Sequence, residues 1–191
     1  MGKDKICINL DVTKKMKLKI DKKGLILYAN NYFSIVTKYQ IHEIILKDME
    51  NILHDEMPDI AKQILLDYGK IEPINYFIIK GKTKDNDCYW GFVKMNQDLD
   101  EYNEVKSYSL EIKLLPNPAI SKIEKLFEIL REIEKNAGKK TAQKYLEGYL
   151  EEKNLSFKDY IFDVTEINEK KAEKYFEIDE DSLIKKKKAW F

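Results

Sequence analysis

Apolar residues fall in short alternating runs through the first 115 positions and at helical spacing beyond them. Residues 16–20 and 25–29 are two such runs. They are separated by Asp21-Lys22-Lys23-Gly24, whose glycine can take a positive φ, so the pattern predicts a β-hairpin. Asn30 and Asn31 come next with side-chain oxygens suited to capping, and Phe33, Val36 and Tyr39 continue at helical period. The hairpin therefore feeds a helix that folds back over it. Residues 39–67 predict several short helical pieces rather than one long helix. Ile44, Ile45, Met49, Ile52 and Leu53 form one apolar set, and Pro58 opens a helix through Ile60, Ile64 and Leu65 that Gly69 stops.

Residues 75–81 and 89–95 flank a polar loop whose Asp85-Asn86 supplies a turn, which predicts a second hairpin. Residues 106–114 alternate cleanly, with Tyr108, Leu110, Ile112 and Leu114 against Ser107, Ser109, Glu111 and Lys113, so one face is expected buried and the other wet. Around Tyr89 the pattern differs. Tyr89, Gly91, Val93 and Met95 point one way and Trp90 and Phe92 the other, so both sides of the sheet are expected to be covered there. Trp90 and Phe92 read either as core under the N-terminal segment or as a dimer or partner interface. That segment alternates at Ile6, Ile8, Leu10 and Val12 and reads as an edge strand or a cap.

From Pro116 the period turns helical. Asn117 and Pro118 start a helix carrying Ile120, Ile123, Leu126, Phe127, Leu130 and Ile133, with Gly138 just past its end. A second helix covers about 141–152, and a third opens at the Ser156-x-x-Asp159 capping pair and carries Tyr160, Ile161 and Val164. The charged tail, with lysines at 185–188 and Trp190-Phe191, is expected to fray. The fold class is α+β: a five-stranded antiparallel sheet with short helices on one face, then a helical extension. The expected division is an N-terminal cap over 1–15, the sheet domain over 16–115, the extension over 116–176 and a tail over 177–191.

Composition narrows the function. Lysine and arginine total 34 and so do aspartate and glutamate, a balance that offers no surface for a polyanion such as nucleic acid. A hydrophobic fraction of 43% supports a real core. No apolar run approaches the length of a membrane span, so the chain is expected to be soluble and cytoplasmic, without direct membrane insertion. Cys7 and Cys88, far apart and without a second Cys or His at metal spacing, are expected to be reduced thiols. No phosphate loop, metal motif or nucleophile elbow is present, so no enzymatic activity is expected.

Particular residues carry a resemblance. Asn30 and Phe33 after the second strand, Tyr39 with Glu43-Ile44, LHDEMP from Leu53 to Pro58, and Lys80 with Asp87-x-Tyr89-Trp90 are similar to the PAS domains of bacterial aerotaxis and energy-taxis receptors. FEILREIEKNAG and SFKDYI resemble the helical tail of small soluble members of that group. The LHDEMP piece keeps the His, Met and Pro of the family's Arg-His-Pro-Asp-Met-Pro motif as His54, Met57 and Pro58. The resemblance implies a PAS fold, an FAD ligand, and a cofactor pocket drawing on Asn30, Phe33, Tyr39, His54, Met57, Ile78 and Val93. The family pattern also has an Arg before the His, a Trp leading into the third strand and an Asn after the Lys. Leu53, Ile74 or Asn75, and Gly81 stand at those places, which removes an aromatic partner and two polar contacts for a flavin.

His54 reads as a structural residue or, more sharply, as a haem ligand, and His42 as an exposed helix-start residue. The implied function is a cytoplasmic sensory module that reports redox or metabolic state to a protein partner such as a membrane chemoreceptor, with homodimerisation open. A ligand-free PAS adaptor with a degenerate pocket is the alternative.

Overall fold

The computed structural model describes residues 7–68 and 71–178, so Ile6, the stop at Gly69 and the charged tail lie outside the described residues. The strands are β1 (Cys7–Ile8), β2 (Met16–Asp21), β3 (Ile26–Ala29), β4 (Ile74–Lys82), β5 (Cys88–Leu99) and β6 (Val105–Leu114). The helices are α1 (Asn31–Thr37), α2 (Ile41–Ile44), α3 (Asp59–Tyr68), α4 (Asn117–Ala137), α5 (Lys139–Glu152), α6 (Phe157–Thr165) and α7 (Glu169–Glu177), with a 3-10 turn at Met49–Ile52. Five antiparallel strands lie in the order β3, β2, β6, β5, β4, and β1 adds a parallel pair beside the start of β5.

The turns follow the expected chemistry. Gly24 takes a φ of 91° in the first hairpin, and Asn86 takes 67° in the second. Asn30 caps α1 through Phe33 N. Ser156 and Asp159 form the reciprocal capping box of α6, and α4 ends at Gly138, whose φ of 83° and ψ of 164° suit a residue without a Cβ.

Register divides the sheet into two faces. Met16, Leu18 and Ile20 on β2 pair with Ile112, Leu110 and Tyr108 on β6, and Val93 and Met95 on β5 pair with Ile112 and Leu110, so these share the front face with Tyr89. Trp90, Phe92, Tyr76, Ile78, Lys80 and Lys113 alternate onto the back face. The back face is covered by the chain's own C-terminal helices. Trp90 packs on Phe127 of α4, Tyr76 on Phe162 of α6, and Phe92 on Tyr175 and Phe176 of α7.

Three expectations change here. Trp90 and Phe92 lie neither under the N-terminal segment nor on an open interface, because α4 and α7 occupy their face. The second face of β6 is not wet: Lys113 and Ser107 are buried on it. The Lys113 ammonium donates to Ile178 O at 2.7 Å and lies over the Tyr175 ring, so a cation meets the carbonyl end of α7. Finally, Cys7 and Cys88 are not free thiols but form a disulfide, their Cα atoms 4.4 Å apart where β1 pairs β5. Spacing along the chain carries no information about that parallel pairing, which the return of the N-terminal segment to β5 creates.

Candidate functional site

The front face is where a PAS-type pocket is expected, between the sheet and the short helices over residues 31–68. Those helices are held down by backbone: Leu46 N donates to Ile26 O while Ile26 N donates to Lys47 O, Met49 N donates to Gly24 O, and His54 N donates to Lys80 O at 2.8 Å. Leu53 bridges to Gly81. Phe33, Met49, Ile52, Ile79, Tyr89 and Val93 are all within 1% of full burial. Their packing fills this interior.

Tyr89 does the most to fill it. Directly opposite Gly81 in the hairpin, its ring lies so close over the glycine that a Cβ there would sit 2.1 Å from Cζ. A Cβ on Gly91 would meet Ile112 Cγ2 at 2.5 Å. Both glycines thus make room for the protein's own side chains. The Tyr89 hydroxyl is fully buried without a hydrogen-bond partner among the described residues, and burial pushes its phenol well above the ordinary value.

The seven candidate ligand-binding residues are scattered by this arrangement. Asn30 is a backbone clip: Oδ1 accepts from Phe33 N and Lys17 N, and Nδ2 donates to Lys15 O. Its amide is committed to joining β2 to α1 rather than facing a ligand. Phe33, Met57 and Val93 are buried in the core, and His54 is fully buried with Nδ1 accepting from Glu56 N at 3.1 Å. Tyr39 is half-buried and lines an open cleft of about 360 Å³ with Ile26, Glu43, Ile44, Lys47, Asn51, Ile52 and Lys82. Ile78 does not share a pocket with Val93. It pairs with Phe92 and faces the back, and at the edge of β4 it lines an apolar cavity with Phe77, α3, α4, α5 and α6. Apolar side chains on both faces of β4 left its parity unreadable.

A polar junction that the spacing did not reveal links the two coverings. Lys80 is almost fully buried on the back face, 2.6 Å from Glu56 Oε2 and 3.3 Å from Glu124 Oε1 of α4, and lies over the Trp90 ring at 5.1 Å. Glu134, near the end of α4, accepts from Asp59 N and Ile60 N at 3.0 and 2.7 Å and so caps α3 from 75 residues away in the chain. At the other end, Lys15 donates to Phe176 O, and the Tyr175 hydroxyl to Leu114 O. Among the described residues, no group of three His, Cys, Asp or Glu side chains could hold a metal ion.

This strand order, with short helices over one face and a helical extension, defines a PAS fold. One similar solved structure comes from work on a flavin analogue in a light-oxygen-voltage domain, at 15% identity and TM-score 0.52, covering 60% of this chain and 87% of that one. Another is the light state of the blue-light photoreceptor Aureochrome1 LOV domain, at 14% identity and TM-score 0.50, covering 62% and 91%. No protein-family model and no curated protein matches the chain. No helix among the described residues is long and apolar enough to cross a membrane.

The flavin in the first neighbour's name makes fit a direct question. An isoalloxazine ring needs a flat apolar slot with a few convergent polar groups. Tyr89 and Ile112 occupy the space over Gly81 and Gly91, and the amide of Asn30 is spent on backbone. The residues of the front face do not fit a flavin in this arrangement.

Proposed function

We propose that this chain is a PAS-type signal-transduction module whose C-terminal helices are its output surface, working through a protein partner rather than by catalysis. The observation that carries this reading is the Lys80 junction. One buried ammonium joins the loop before α3, the sheet and α4, so a change in how the short helices pack is felt where the extension docks. The chain continues from Leu114 into α4 after two residues, which makes the sheet and that helix one mechanical unit. A signal of this kind requires an input that binds two packings with different affinity. Redox or energy-taxis input, a cytoplasmic setting and a membrane chemoreceptor as partner are the finer form of the proposal, drawn from the resemblance at His54 to Pro58 and Tyr89-Trp90. An FAD input would require Tyr89 to swing off Gly81.

A ligand-free adaptor is the second reading, favoured by the Tyr89 ring over Gly81. An absorbance spectrum of the freshly purified chain, with mass spectrometry of its extract, separates the two. Flavin bands near one per chain support the sensor, whereas a colourless protein that gains no thermal stability from added FAD or FMN supports the adaptor. Output is tested by Ile120→Asp, which places a charge in the first turns of α4. If the variant stays folded and still captures the same partner with the same affinity, α4 is not the output.

A further inference from the structure

The chain contains two cysteines, and the structure pairs them where a covalent tie has the most to hold. β1 is a strand of two residues, Cys7 opposite Cys88 and Ile8 opposite Tyr89. It takes the flank of β5 just beyond the point where β6 stops, at Leu114 opposite Gly91. Leu115 N donates to Trp90 O at that same corner, where the sheet passes the chain to α4. Cys88 alternates with Trp90 and Phe92 on the back face, the residues that seat α4 and α7. Two ladder residues are a weak anchor by themselves; further along, buried Leu10 and the Asp11 amide, which donates to the Tyr32 hydroxyl, hold the segment, so the bond is the main tie of its first residues.

The two sulfurs also differ in access. Cys88 is 1% exposed, whereas Cys7 is only partly buried at the edge of the core. We propose that Cys7–Cys88 is a thiol–disulfide exchange site, entered by a dithiol reductant at Cys7 Sγ, whose state sets the order of the N-terminal segment and of the Leu114–Leu115 corner. The proposal deepens the signalling reading by naming a redox input other than a flavin.

The exchange balances. One thiolate of the reductant attacks Cys7 Sγ; the S–S bond breaks, and its electron pair leaves on Cys88 Sγ, which takes up a proton. The second thiolate then attacks the reductant's own sulfur in the mixed disulfide and releases Cys7 as a thiol. The reductant ends as a disulfide, having given two electrons and two protons to the protein.

The experiment uses the full chain, oxidised with diamide or reduced with dithiothreitol, with no ligand or partner present. Alkylation after denaturation should add no label to the oxidised chain and two labels to the reduced one. Hydrogen exchange should rise about tenfold or more over residues 7–12 and 114–119 on reduction, with β2 and β6 changed less than about twofold. Cys7→Ser should exchange like the reduced chain in both buffers. Two labels on the diamide-treated chain would overturn the proposal, as would exchange at 7–12 and 114–119 that is the same in both states. Loss of the far-ultraviolet circular dichroism signal on reduction would overturn it too, since the bond would then be a structural staple. A flavin-free spectrum bears on the function above and leaves this result untouched.

Discussion

The two faces of one sheet are closed by different physics. The front is sealed by apolar volume, with Tyr89, Phe33, Ile79 and Val93 packed against the short helices and an aromatic ring seated on a glycine. The back has an aromatic seam as well, but its edges are fastened by cations at helix ends and carboxylates: Lys113 and Lys15 on the carbonyl end of α7, and Lys80 between Glu56 and Glu124. Apolar packing tolerates little change of shape, whereas point contacts can be released one at a time. The front is therefore expected to resist rearrangement, and on the back α7, held by those point contacts, is expected to release before α4 does.

The sharpest way to break that contrast is Gly81→Ala. The new methyl would collide with the Tyr89 ring, and a loss of about 4 kcal/mol, or failure to fold, is expected in denaturant unfolding. Retention of wild-type stability would mean that the front is soft. Phe176→Ala should cost about 3 kcal/mol by removing a side chain that touches both Tyr76 and Phe92. Hydrogen exchange should show the loss concentrated in α7, and an equal rise across β2 and β6 would merge the two faces into one cooperative unit.

Glu134→Gln weakens a charged cap on α3 and should lower stability by about 1 kcal/mol, read by chemical denaturation. Tyr89→Phe removes a buried hydroxyl without a partner and should raise stability by up to about 1 kcal/mol. A loss instead would mean that the hydroxyl has a partner in solution, and a ligand would be the first candidate.

The smallest effect belongs to Asp98, at the open end of the back face. Partial burial pushes its carboxyl up, but hydrogen bonds from Ser109, Lys19 and Ser107 outweigh that and hold it below the ordinary value of 3.8. A depressed carboxylate stabilises the fold above its unfolded value and loses that contribution as pH falls through its folded one. Between pH 5 and 2, the wild type should lose roughly a few tenths of a kcal/mol more than Asp98→Asn in acid unfolding, a figure kept small by solvent screening.

Local chemistry was legible in the residues, and placement across the fold was not. Asn30 as a cap, Gly24 as a turn and Ser156 with Asp159 as a capping box each act within a few positions, so the pattern carries them. Helix α7 does not stand out in the pattern although Asn168, Ala172, Tyr175 and Phe176 have its spacing, because charged residues surround it. Lys113 alternates with Ser and Glu, a pattern that predicts a wet face; its carbonyl partner lies 65 residues away. The face of Ile78 cannot be told from its neighbours, because β4 is apolar on both sides. Tyr89 was within reach, since the turn at Asp85-Asn86 sets Gly81 against it, a large residue facing the smallest one.

The cap that Glu134 places on α3 has a consequence for synthesis. A ribosome releases the sheet and α3 before the residues that finish them, and the 63 positions from Pro116 to Ile178 take roughly 3–13 s to add at ordinary translation rates. Until the helices that cover them are made, Tyr76, Ile78, Trp90 and Phe92 form an apolar surface on the nascent chain, and the first amides of α3 await Glu134. A chaperone that holds aromatic patches would meet this protein at that stage, and a fragment cut at residue 115 would keep the exposure permanently.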